Sequence, residues 1–250
     1  LSYEWSTELT RPIYAVGDIH GHADQLDRAL HLIAADGGTD AEIVFLGDLV
    51  DRGPDSRGVI DRLLDGRALG RPWQVLRGNH DAMFARFLRD GSLTDARVKS
   101  GLPWTNPQLG GTRTLASYGV TVTPGDDPAE VHAAALRAVP AQHRDFLQTL
   151  PLTMVRDRLL FVHAGIRPGI ALAEQDPEDL IWIRDPFLDH SGPHPWLVVH
   201  GHTAVQFPEH AGNRINLDGG TGWGRSLHPA VFEGRNCWLL TDKGRVPLTP

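Results

Sequence analysis

The chain has 250 residues, which suits one large domain or two small ones with an ample core. Its formal net charge of −7 argues against a nucleic-acid backbone as the main partner, but not against a phosphorylated substrate. No apolar run approaches a membrane span, and no basic stretch followed by an apolar one opens the chain, so neither a membrane segment nor a secretory leader is expected. The chain begins at Leu1 rather than Met, as a trimmed N-terminus would. Its single cysteine, Cys237, cannot form an internal disulfide, which suits a reducing cytoplasm.

Residues 1–11 are a polar lead-in without periodicity. From Ile13 the pattern is strand, motif, helix, repeated. The apolar run 13–16 predicts a strand and runs into Gly17-Asp18-Ile19-His20-Gly21. Residues 23–34 carry Leu26, Ala29, Leu30, Leu32 and Ile33 at helical spacing. The next strand, 43–46, precedes Gly47-Asp48-Leu49-Val50-Asp51-Arg52-Gly53, and 55–64 reads as a second helix. Strand 73–76 leads to Gly78-Asn79-His80-Asp81, and 81–88 reads as a third helix.

The stretch 91–127 is rich in Gly, Pro, Thr and Asn and reads as an insertion over the site edge, a substrate-recognition cap. Helices are expected over 128–138 and 140–150, where Pro151 ends the second. The remainder reads mainly as strands. Residues 159–162 run into His163-Ala164-Gly165, and 196–199 into His200-Gly201-His202-Thr203. Further strands are expected at 214–217, 230–232 and 237–241, the last holding Cys237 as a buried thiol. Periodicity alone gives an α/β protein.

Five of these strands end at a residue that a metal would bind. Such positions can converge at one edge of a sheet, where open α/β proteins place their sites. Asp18-x-His20 would put both side chains on one face if the segment is extended. Two divalent cations can clamp both ends of an in-line displacement at phosphorus and generate hydroxide at neutral pH. That needs a carboxylate able to bridge both ions, for which Asp48 is the candidate. Mixed carboxylate, amide and imidazole donors suit Mn²⁺, Fe or Zn²⁺ better than Ca²⁺, and Mn²⁺ is the expected ion.

The five motifs, in this order, resemble the metallophosphoesterases, and within them the bacterial and phage phosphoprotein phosphatases. Gly110 to Gly119 and Leu180 to Leu188 also look like segments of that group. The resemblance implies an α/β fold of two mixed β-sheets packed as a sandwich flanked by helices, with residues 1–250 forming a single domain. It implies a first metal site of Asp18, His20 and Asp48, and a second that adds Asn79, His163 and His202. His80 would be the general acid, oriented by Asp51, and Arg52 and Arg184 would clamp phosphate. Arg184 could instead pair with its neighbour Asp185. His200 reads as a packed histidine, Asp218 as a supporting residue, and Trp182 and Phe187 as core.

The implied function is phosphomonoester hydrolysis on phosphoserine, phosphothreonine or phosphotyrosine in proteins. The alternative is symmetrical hydrolysis of dinucleoside tetraphosphates by the same motifs. An aromatic, basic slot in 91–127 would favour the nucleotide, and that stretch offers Trp104, Tyr118, Arg97, Lys99 and Arg113. An inactive phosphoprotein-binding module is the remaining class, and the complete set of motif residues argues against it.

Overall fold

The protein is described by a computed structural model covering residues 11–250. The polar lead-in expected at the start lies, apart from Arg11, outside these residues. The chain opens with β1 (Ile13–Val16), α1 (Ala23–Gly37), β2 (Glu42–Phe45), α2 (Ser56–Ala68) and β3 (Trp73–Val75). A helical stretch follows: α3 (Asn79–Asp90), α4 (Gly111–Ser117), α5 (Pro128–Ala138) and α6 (Ala141–Thr149). Next come β4 (Thr153–Arg156), β5 (Leu159–Val162), α7 (Pro177–Trp182), β6 (Leu197–His200), β7 (Glu209–His210) and β8 (Arg214–Asn216). The last strands are β9 (Ala230–Glu233), β10 (Asn236–Thr241) and β11 (Gly244–Pro247).

Two mixed sheets result. The first has the order β11-β10-β9-β1-β2-β3, and the second β4-β5-β6-β8-β7. In each, the parallel strands stand together, β1 with β2 and β3, and β5 with β6 and β8. Parallel strands β1 and β5 read as unbroken apolar runs because both of their faces are covered, whereas β3 and β8 carry polar residues. Alternate residues separate cleanly. Ile13, Ala15, Val44, Leu46, Phe161, Val199 and Phe232 form the layer between the sheets. Their neighbours Tyr14, Val16, Ile43 and Phe45 face the helices on the outside of the first sheet. Leu160, Val162 and Val198 pack outward against Ile183 and Phe187. This is the sandwich flanked by helices that the motifs imply. Cys237 lies in the inter-sheet layer, where burial pushes its thiol up to about 12.

Five elements were not expected from the sequence, the two-residue β7 among them. Helix α4 sits inside 91–127 and shows only Gly111, Thr114 and Leu115 buried, too short a stripe to register as periodic. Helix α7 spans only six residues. β4 and β11 are edge strands with few buried residues, so they lack the apolar run that marks the others. Helix α3 also starts earlier than expected. The Asp81 carboxylate accepts the Gly78 N–H at 2.9 Å and the Leu49 N–H at 2.9 Å, which fixes the helix start against the β2 loop. Asn79 and His80 therefore stand on the first turn of a helix, not on a free loop.

Phe161 is fully buried in the inter-sheet layer, with its ring edge-on to Phe232 at 5.9 Å. Phe161→Ala is expected to cost about 3–5 kcal/mol in urea unfolding. A loss below about 1 kcal/mol would mean that the two sheets repack across the gap.

Candidate metal centre

The loops after β1, β2, β3, β5 and β6 meet at one edge of the sandwich. Backbone hydrogen bonds tie them together. The N–H groups of Ile19 and His20 both donate to the Asp48 carbonyl, at 3.0 and 2.8 Å, and Gly201 N–H donates to the His163 carbonyl at 2.8 Å. Two glycines allow this closeness. A Cβ at Gly78 would overlap the Asp48 backbone nitrogen and Oδ1, and one at Gly201 would overlap Asp18 Oδ1. The backbone is strained here. Of the six described non-glycine residues with positive φ, five are His20, Asp48, Asp51, Arg52 and His202. Left-handed conformations cost L-residues on the order of 1–3 kcal/mol each and collect at functional sites. His20, at φ 48°, is not extended, so the expected Asp18-x-His20 shared face does not form.

Two groups of donor atoms converge, His20 with Asp48 and His80, and Asp48 with His163 and His202. Asp48 belongs to both. Its Oδ2 lies 3.5 Å from His20 Nε2, and its Oδ1 lies 3.5 Å from His163 Nε2. One carboxylate thus offers an oxygen to each group, as the bridging expectation requires. Asp18 joins neither group. It is buried, accepts the His202 N–H at 3.2 Å with both oxygens, and sits near Asp48 and Asp218. Burial and those two carboxylates push its pKa well above the ordinary range. A cation beside it would reverse that effect.

The tautomers bear on whether a metal fits. His20 Nδ1 lies 2.8 Å from the Val50 carbonyl, and His163 Nδ1 lies 2.9 Å from the Leu46 carbonyl. A carbonyl only accepts, so each Nδ1 carries the hydrogen and each Nε2 presents a lone pair. Such carbonyl bonds are the usual orienters of metal-binding imidazoles. His163 Nε2 then faces Asn79 Oδ1 at 3.0 Å, two lone pairs with no hydrogen between them. His202 Nδ1 lies 2.8 Å from the same oxygen, and its Nε2 is buried without a partner. A cation relieves this convergence of lone pairs, so the residues fit a metal. Burial also lowers the pKa of His20 and of His202 well below that of free histidine, which keeps the rings in the neutral, ligating form. In the first group the positive charge comes from Arg52. Its guanidinium donates to His20 Nε2 at 2.6 Å and to His80 Nε2 at 3.0 Å. Arg52 and a metal would therefore compete for the same lone pair on His20.

His80 Nδ1 donates to Asp51 Oδ2 at 2.6 Å, the orienting contact that the motifs imply. Burial carries His80 down to about 3 and Asp51 up to about 7. Two further donors hold Asp51. Thr114 Oγ1 donates to Oδ1 at 2.6 Å, and Trp104 Nε1 donates to Oδ2 at 2.8 Å. Both residues come from the 91–127 stretch, and sequence reading missed this role. The only signal was a tryptophan in a segment without periodicity. Trp104 and Tyr118 are buried, so neither can form the aromatic slot considered for them.

Beside the donor groups lies a cavity of about 520 Å³. Five cationic residues line it, Arg52, Arg97, Lys99, Arg167 and Arg184, against three acidic ones, Asp48, Asp179 and Asp185. Arg97 and Arg167 both bond Asp179, at 3.1 and 2.6 Å. Arg184 is exposed and, among the described residues, makes no ion pair with Asp185, so the local pairing considered for it is absent. Trp182, expected in the core, is partly buried against it and also lines this cavity, edge-on to His202 at 6.0 Å. Phe187 and His200 are fully buried, as expected. Asp218 is buried and accepts the Gly220 N–H at 2.9 Å, a supporting contact.

If Thr114 and Trp104 hold Asp51, removing the hydroxyl should loosen His80 without touching His20, Asp48, His163 or His202. Thr114→Val is expected to lower kcat by about tenfold, the loss of one charge-assisted hydrogen bond. KM and metal content should stay within about twofold of the parent. A variant with unaltered kcat would show that Thr114 is a packing residue only.

Several known proteins resemble the chain. The family described as calcineurin-like phosphoesterase matches residues 11–221. A symmetrical bis(5'-nucleosyl)-tetraphosphatase from Janthinobacterium sp. (strain Marseille) is 31% identical over 161 residues, 64% of this chain and 46% of that protein. The chain thus aligns with less than half the length of that relative. An asymmetrical bis(5'-nucleosyl)-tetraphosphatase, PrpE of Halalkalibacterium halodurans, is 26% identical over 87% of this chain and 88% of its own. The serine/threonine-protein phosphatase 2 of Escherichia coli is 39% identical, but over 29% of this chain only. A solved structure described as a "putative diadenosine tetraphosphatase" superposes with a TM-score of 0.65 at 24% identity, covering 96% of this chain and 95% of that one. The phosphoprotein-phosphatase branch expected from the motifs is therefore less well supported than the tetraphosphatase alternative. With the family matched from Arg11 to Thr221 and the donor groups assembled at one edge of the sandwich, the chain belongs to the calcineurin-like metallophosphoesterases, a family of hydrolases.

Proposed function

We propose that the protein hydrolyses bis(5'-nucleosyl) tetraphosphates at a phosphoanhydride bond. The observation that carries this reading is the lining of the cavity. Five cationic side chains line it against three acidic ones in a chain whose net charge is −7, so positive charge is concentrated locally. A single phosphoryl group needs one arginine fork, whereas a run of phosphates uses several. The names of the relatives with the longest alignments support the same reading. Arg97 and Lys99 bring the 91–127 stretch to the groove wall, which supports its role as a substrate cap.

The proposed metal ligands are Asp18, His20, Asp48, Asn79, His163 and His202. Asp48 is shared by both donor groups, and Asp18 stands next to them. Two divalent ions held there would polarise the reacting phosphoryl group and supply a nucleophile at neutral pH. Arg52 and Arg184 would grip phosphate oxygens from two sides of the cavity. His80 would pass a proton to the departing phosphate oxygen through Nε2. The Asp51 carboxylate, bonded to Nδ1 at 2.6 Å, would fix the orientation of the ring for that transfer.

The test is a side-by-side assay with Mn²⁺ supplied, using diadenosine tetraphosphate and a panel of phosphoserine, phosphothreonine and phosphotyrosine peptides. We expect kcat/KM for the tetraphosphate to exceed that for the best peptide by at least about tenfold. Two nucleoside diphosphates as products would mark symmetrical cleavage, and a monophosphate with a triphosphate would mark asymmetrical cleavage. A peptide turned over faster than the tetraphosphate would return the function to phosphoprotein hydrolysis.

A further inference from the structure

Trp223 is 58% exposed, the most exposed aromatic residue among the large apolar side chains of the described structure. It stands beside the site, with the Arg52 Cζ over its ring at 4.6 Å. One face of the indole is thus covered by the guanidinium. The side chain is nonetheless more than half open to solvent, which leaves apolar surface available for a second planar group.

The turn that carries Trp223 is fixed. Gly220 and Gly224 both take left-handed conformations, at φ 86° and 84°, and bracket a single turn of 3₁₀ helix. Trp223 N–H donates to the Gly220 carbonyl at 2.9 Å, and Gly224 N–H donates to the Thr221 carbonyl at 2.9 Å. The buried Asp218 carboxylate holds the start of the turn through Gly220 N–H. A Cβ at Gly222 would meet the ring of His20 at 2.5 Å, so the turn lies directly against a donor residue. A large aromatic ring is therefore held open, at a set position, next to an arginine proposed to grip phosphate.

We infer that Trp223 is a stacking platform for the nucleobase next to the phosphate held by Arg52. The inference rests on the reading that the substrate is a nucleotide. In a 5'-nucleotide the base lies one ribose away from its phosphate. A ring 4.6 Å from the phosphate-binding guanidinium is within reach of that base. Stacking on an indole face accepts every base, because each has a π-face, and the Arg52 contact on the other side adds a cation–π layer. No base-specific hydrogen bond is required. The platform would thus select for a base without selecting which base.

Calorimetric titration of the Mn²⁺-loaded protein with adenosine 5'-monophosphate and with ribose 5-phosphate isolates the base. In the parent, the ratio of the two dissociation constants is expected to favour the nucleotide by about five- to 150-fold, the range that one aromatic–base stack contributes. In Trp223→Ala the ratio should fall to about one, and Trp223→Phe should keep most of it. An unchanged ratio in Trp223→Ala would overturn the platform and leave Trp223 as a cover for Arg52. A parent ratio of about one would overturn it as well. The two readings fail separately. If the ratio behaves as expected but diadenosine tetraphosphate is not turned over, the platform stands and the proposed substrate falls.

Discussion

The Asp48 carboxylate is the constraint on which the site depends. It is buried, and its two oxygens point toward different groups of donors, His20 on one side and His163 on the other. A buried carboxylate is costly unless charge or hydrogen bonds answer it. Its Oδ1 accepts the His80 N–H at 2.9 Å, from the first turn of α3. That contact ties the carboxylate to the N-terminal end of the helix. The same residue carries a left-handed backbone at φ 50° and accepts two N–H groups from the loop after β1 through its carbonyl. Side chain and backbone of one residue thus join three loops.

The sandwich explains how those loops can be held so closely. The parallel strands β1, β2, β3, β5 and β6 deliver their C-terminal ends to one edge, and the layer between the sheets is closely filled and apolar. Left-handed conformations at His20, Asp48, Asp51, Arg52 and His202 are unfavourable one by one. They persist because the strands before them and the hydrogen bonds between the loops leave no alternative. Asp51 shows the same logic one layer out. Thr114, Trp104 and His80 all donate to it, so its position is set from the 91–127 stretch as well as from its own loop. That stretch does two jobs, since it brings cations to the groove and fixes the partner of His80.

Much of this was legible in the sequence. The buried strands announced themselves as apolar runs because both faces are covered, and the motif residues followed directly. The donor atoms of His20, Asp48, His163 and His202 converge, with His80 rather than Asp18 in the first group. What escaped was of three kinds. Edge strands β4 and β11 bury too little to leave a pattern. The bonds from Trp104 and Thr114 to Asp51 span 53 and 63 residues, and no local rule links them. The condition of an extended segment at His20 is not met, and the close approach of the β2 loop accompanies its left-handed backbone. Trp182 packs against the core as expected, but it has a second role. A tryptophan beside an apolar run reads as core, and only the tertiary structure shows that it also lines the cavity.

The central claim is that one carboxylate serves two cations. Anomalous diffraction from crystals soaked in Mn²⁺ tests it directly. The account predicts two peaks roughly 3.5–4 Å apart, one on the His20 side of Asp48 and one among Asn79, His163 and His202, each within bonding distance of an Asp48 oxygen. A single peak, or two peaks of which either lacks contact with Asp48, would contradict it.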